Sequence, residues 1–146
     1  FFFFFFFFFI ETFRYAMDLP GFWMDVGQPP DYLTGMCLYL KYVTHADPKS
    51  LATGPEYIGP VLVHPTAKIG QKCKIGPNVV IGPNCVIGDG VRLQRCTLME
   101  SSVIKAHAWV NSAIIGWRCT VGAWVCTRTR TSTRTHTRTL RESRPL

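Results

Sequence analysis

The chain has 146 residues and a formal net charge of +7, enough for one domain or for a domain with a piece of another. Its two compositional extremes are local: nine of the eleven Phe are Phe1 to Phe9, and Cys126 to Leu146, with six Arg and one Glu, contributes +5 of the +7. The rest of the chain is close to neutral, so the charge excludes a nucleic-acid partner as a property of the folded part.

Taken in order, the Phe homopolymer has no packing logic, and we set residues 1–10 outside the fold. With Ile10 it makes an apolar run of ten. That is too short for a membrane span of about 20 residues, and it lacks the basic start and small-residue cleavage site of a signal peptide. No membrane partner is expected. Six Cys without a secretory signal point to a reducing compartment, the cytoplasm.

Phe13, Tyr15 and Met17 alternate like a short strand. Gly21 to Gly27 reads as a second apolar strand that carries one carboxylate, Asp25, between Trp23-Met24 and Val26-Gly27. A carboxylate in such surroundings is expected to be partly desolvated and to need a partner. A divalent cation, a buried Arg or a following turn would each serve. Gln28-Pro29-Pro30 ends the strand, and Asp31 to about Thr44 reads as a helix, with Tyr32, Leu33, Met36, Leu40 and Val43 on one face. Pro at the start suits the first turn. Gly35 weakens the helix by about 1 kcal/mol relative to Ala. Asp47-Pro48 stops it, and Leu51 to Pro60 is a loop by its Gly and Pro content.

From Val63 to about Val125 the sequence falls into six-residue units: VHPTAK, IGQKCK, IGPNVV, IGPNCV and IGDGVR. It slips to five at LQRCT, continues as LMESSV and IKAHAW, slips again at VNSAI, and closes with IGWRCT and VGAWV. Each unit opens with an aliphatic residue, and a small or β-branched one follows at Ala67, Cys73, Val79, Cys85, Val91, Val103 and Cys119. Pro77-Asn78, Pro83-Asn84 and Asp89-Gly90 suit corners. The period predicts a mainly β chain, a parallel β-helix with three sides to a coil. Eleven units make between three and four coils, stacked because no unit buries its apolar face alone. Lys68, Lys72 and Lys74 fall at outward positions. Cys73, Cys85 and Cys119 fall inward as free, structural thiols. Beyond Cys126, TRTRTSTRTHTRT reads as a solvated, disordered tail over 126–146.

His107, in IKAHAW, sits at an expected corner. Hexapeptide-repeat acyltransferases use a His as general base at a coil edge, but neither an extruded loop nor a long acyl-carrier groove is evident here. Trp109, Trp117 and Trp124 fall late in the repeats, where they either cover the lower end of the prism or anchor an interface.

The run FWMDVGQPPDYLTGMCLYL, followed by LATGP, the VHPTAKIG start and the GWRCTVGAWV close, resembles the C-terminal part of the mannose-1-phosphate guanylyltransferase family, the GDP-mannose pyrophosphorylases of catalytic beta-subunit type. The similarity covers roughly Tyr15 to Val125. It implies left-handed coiling of the β-helix, residues 51–125, and makes 11–50 a strand-helix remnant of an α/β nucleotidyltransferase domain. It further implies that Asp25 is a ligand of the catalytic Mg²⁺, in a reaction of GTP with mannose 1-phosphate that gives GDP-mannose and pyrophosphate. A homo-oligomer, or an alpha-type regulatory subunit bound through the β-helix, is the implied partner. No G-x-G-T-R-type loop for GTP occurs in the 146 residues. The expectation is therefore a catalytically inactive fragment, with a non-catalytic assembly role and acyl transfer through His107 as alternatives.

Overall fold

A computed structural model describes residues 23–128 and 138–139. The Phe homopolymer, the strand around Phe13 to Met17 and most of the Arg/Thr tail lie outside the described residues.

Helix α1 spans Pro29–Ala46 and begins two residues earlier than the apolar pattern indicates. Pro29 and Pro30 extend it, because first-turn N–H groups have no intrahelical acceptor and a proline there loses nothing. The Asp31 carboxylate accepts from the Gln28 N–H at 3.1 Å, which adds a negative charge at the positive end of the helix. At the other end the Asp47 N–H reaches the Val43 carbonyl at 2.8 Å. A 3-10 turn, Pro48–Ser50, then leads the chain away. Leu33, Met36, Leu40 and Val43 are buried on one face, as their spacing predicts.

Twelve short strands form four coils. They are β1 Val61–Val63, β2 Lys68–Ile69 and β3 Lys74–Ile75; β4 Val79–Ile81, β5 Val86–Ile87 and β6 Arg92–Gln94; β7 Cys96–Leu98, β8 Val103–Ile104 and β9 Trp109–Asn111; and β10 Ile114–Ile115, β11 Thr120–Val121 and β12 Val125–Arg128. They stack in three parallel sheets, β1-β4-β7-β10, β2-β5-β8-β11 and β3-β6-β9-β12. The chain is thus a parallel β-solenoid. A two-residue strand, β13 (Arg138–Thr139), pairs antiparallel with β12, Val125 opposite Thr139 and Cys126 opposite Arg138. Residues 126–128 and 138–139 of the expected tail are therefore in strands.

Register explains the slips in the repeat. Val61 pairs with Val79, eighteen residues on, but Val79 pairs with Cys96, seventeen on. The missing residue is always lost at one corner: Gly76-Pro77-Asn78 after β3 becomes Gln94, the last residue of β6, with Arg95, and then Asn111, the last residue of β9, with Ser112. Each corner keeps one non-glycine residue at positive φ, here Asn78, Arg95 and Ser112. Their N–H groups donate to Pro60, Pro77 and Gln94 in the coil before. The same ladder runs up the corner between the second and third sides, where Gly90, His107 and Trp124 donate to Gln71, Asp89 and Ala106. Corner backbone groups are thus paired between coils, as buried or half-buried amides require.

Inside the prism, Ile75, Ile81, Ile87, Leu93, Leu98, Ile104 and Val110 are buried, with Cys73, Val79, Cys85, Val91 and Cys96 between them. The expectation for Val103 is corrected. Ser102 is the inward residue of that unit, fully buried, while Val103 is partly exposed. The fourth place after Leu98, the inward place of the six-residue units, is Ser102, whose hydroxyl lies 3.3 Å from the Cys85 thiol. Cys119 is exposed, not inward-packed, because no further coil covers that position among the described residues.

One outward row is apolar. Leu62, Val80, Thr97 and Ile114 are in register on the first sheet, and α1 covers them with Leu33, Met36 and Leu40. The Thr97 hydroxyl, buried beneath the helix, donates to the Met36 thioether at 2.9 Å. Arg95 reaches the Thr34 hydroxyl at 3.2 Å from its corner. At the start of the solenoid the loop before β1 lies along the first coil. Tyr57 bridges to Ile75, and the Ile58 N–H donates to the Ile75 carbonyl at 2.8 Å.

Candidate functional site

Trp23 to Gly27 lead into α1 without regular structure, so the strand expected there is not formed among the described residues. The segment lies on the helix instead. At Gly35 a β-carbon would sit 3.8 Å from the Met24 sulfur and 3.8 Å from a Val26 methyl. Met24 and Val26 thus border a hollow of about 350 Å³ with Tyr32, Met36 and Tyr39. Asp25, between these two residues, is exposed. The expected partial desolvation of its carboxylate is not met among the described residues, because the two apolar neighbours take the helix side of the segment.

An exposed carboxylate suits one role in metal binding. Mg²⁺ is commonly held by one or two carboxylates together with substrate phosphates, and keeps several waters. Asp25 fits as one such ligand. It does not make a site by itself: among the described residues no three His, Cys, Asp or Glu side chains come together as a metal would require.

His107 lies at the corner before β9 with φ of 59°. Its ring stacks on Trp124, centroids 4.3 Å apart and planes 21° from parallel. Beneath it is Gly90, where a β-carbon would come within 2.5 Å of Nδ1. The two rings form one stack over a glycine. Trp109, Trp117 and Trp124 are 44%, 68% and 62% exposed. All three present apolar surface to solvent. Lys68, Lys72 and Lys74 are exposed, as their outward positions predict.

All six cysteines are unpaired thiols. Cys73 donates to the Gly88 carbonyl at 3.2 Å and Cys85 to Met99 at 3.1 Å, so both behave as interior packing groups. Burial pushes the Cys96 thiol up to about 12, against the smaller opposing effect of a backbone hydrogen bond from Gln94. It raises Cys73 as well. Such thiols are not nucleophiles at neutral pH. No helix among the described residues is long and apolar enough to cross a membrane.

Residues 57–136 match the family model described as the GMPPB C-terminal domain. The chain is 61% identical over 111 residues to mannose-1-phosphate guanylyltransferase catalytic subunit beta of Danio rerio, a stretch covering 76% of this chain and 31% of the relative. It is 59% identical over 111 residues to mannose-1-phosphate guanyltransferase beta-B of Xenopus laevis, with the same coverage. Identity to mannose-1-phosphate guanyltransferase of Hypocrea jecorina is 62% over 113 residues, 75% of this chain and 31% of that protein. The chain thus spans about a third of the length of the relatives it matches. A match of 111 residues cannot fit between Tyr57 and Leu146, so it reaches upstream into α1.

Proposed function

Because this chain belongs to the GMPPB C-terminal domain family, we propose that it is the helix-and-solenoid part of an enzyme that makes GDP-mannose from GTP and mannose 1-phosphate. The observation that carries this reading is identity of about 60% that continues beyond the repeats into α1. Hexads alone are a scaffold pattern, and a fold by itself does not imply an activity. In this reading Asp25 is one ligand of Mg²⁺. The ion's chemistry, when bound, is to neutralise charge on the reacting phosphates. The chain's own contribution is to hold that carboxylate exposed and fixed beside α1.

The residues described here carry neither a glycine-rich phosphate loop nor a cluster of cations around Asp25. We therefore take the isolated chain to be inactive, with the solenoid acting as scaffold and assembly surface for a second copy or an alpha-type subunit in the cytoplasm. The exposed Trp117 and Trp124 at the last coil favour that assembly role. Purified chain incubated with GTP, mannose 1-phosphate and Mg²⁺ should release no pyrophosphate above blank. Turnover would overturn the assignment of inactivity. Acyl transfer through His107 would instead require coenzyme A binding, and its absence in a titration removes that alternative.

A further inference from the structure

We infer that Gly35, Met24 and Val26 are positioning residues for Asp25, a clasp by which the solenoid sets the place of that carboxylate. The functional meaning rests on the reading of Asp25 as a metal ligand; the clasp itself rests on contacts.

Three observations converge. Helix α1 is held on the first sheet of the solenoid by Leu33, Met36 and Leu40 over the row that includes Leu62 and Val80, and by the Thr97–Met36 and Arg95–Thr34 contacts. It is therefore a fixed support. On that support Gly35 is the one position without a side chain in the helix's first three turns, and there Met24 and Val26 both rest, each 3.8 Å from where a β-carbon would stand. Two residues that rest on one helix position, one either side of Asp25, define where Asp25 emerges. The hollow they border has room for a large intruding side chain to displace them.

Glycine in a helix interior is less favourable than Ala. A β-carbon at 3.8 Å is ordinary contact, so Ala would keep the clasp. A larger side chain would occupy the place of Met24 and Val26 and lift the segment off.

The test is backbone ¹⁵N relaxation on the full chain, with Gly35→Phe, Gly35→Ala and the double substitution Met24→Ala/Val26→Ala. The clasp predicts order parameters near the rigid value of about 0.85 at Met24 to Val26 in the native chain and in Gly35→Ala. It predicts values below about 0.6 in the other two variants, with β4 to β9 unchanged. The double substitution leaves α1 untouched, so misfolding of the helix cannot produce the result. Order parameters already low in the native chain, or unchanged in both disruptive variants, would overturn the inference. Asp25→Asn in a beta-subunit relative that carries residues 23–128 tests the ligand reading separately. Ordered Met24 and Val26 with GDP-mannose formation unchanged by Asn would remove the metal and leave the clasp, whereas lost activity with a disordered segment would do the reverse.

Discussion

Gly88 stands right after an inward Ile, and its role is to let the next coil pass. A β-carbon there would lie 2.7 Å from the Ala106 nitrogen, while the Gly88 N–H already donates to Ile104 at 2.8 Å. Neither backbone can retreat without losing the ladder. Gly122 occupies the same place in the last coil and meets only a Val125 methyl, at 3.3 Å. Gly88→Ala should therefore destabilise by roughly 1–3 kcal/mol through overpacking, and Gly122→Ala by much less, as read from denaturant midpoints. The thiols supply a second prediction at this scale. Cys96 is near 9 when unfolded and about 12 when folded, so its contribution is fully present below pH 9. It is lost between about pH 9 and 12, at about 1.4 kcal/mol per pH unit. Alkaline denaturation of Cys96→Ala should show a shallower slope in that window. Iodoacetamide should label exposed Cys119 at pH 8 and leave Cys96 unmodified until the chain unfolds.

Helix α1 and the first sheet are one packing unit. Leu40 is fully buried between them, and Leu40→Ala should cost about 2–5 kcal/mol, measured by urea unfolding. Much of this element-level design is legible in the residues. Ile-Gly at a spacing of six marks the strands, and LQRCT and VNSAI mark the corner that is one residue shorter. Leu33, Met36, Leu40 and Val43 mark the buried face of α1. What the spacing does not show is the partner of that face. Leu62, Val80 and Thr97 are outward positions like Lys68 and Lys74, and only their apolar or uncharged character hints that something covers them. Ser102 holds the usual inward place, four after Leu98, but a hydroxyl is a less obvious core residue than the β-branched Val103 beside it. Cys119 was misplaced because an inward position is inward only where another coil stacks on it. For Asp25, residue type and neighbours suggested burial, but the direction of Met24 and Val26 depends on Gly35, ten residues away in sequence.

For the whole molecule, the proposed function makes residues 23–128 a support module of a guanylyltransferase and Asp25 its contribution to the reaction. The match to relatives spans the solenoid and α1 together but only 31% of the relatives' length, so the claim is tested by restoring what the relative supplies. The most direct measurement is GDP-mannose formation by a chimera in which residues 23–128 replace the matching stretch of a beta-subunit relative, with and without Asp25→Asn. The account predicts that the chimera makes GDP-mannose at a rate near the relative's own, and that Asp25→Asn lowers that rate at least 100-fold while leaving the fold intact. A folded chimera that is inactive with Asp25 present, or one equally active with Asn in its place, would contradict it.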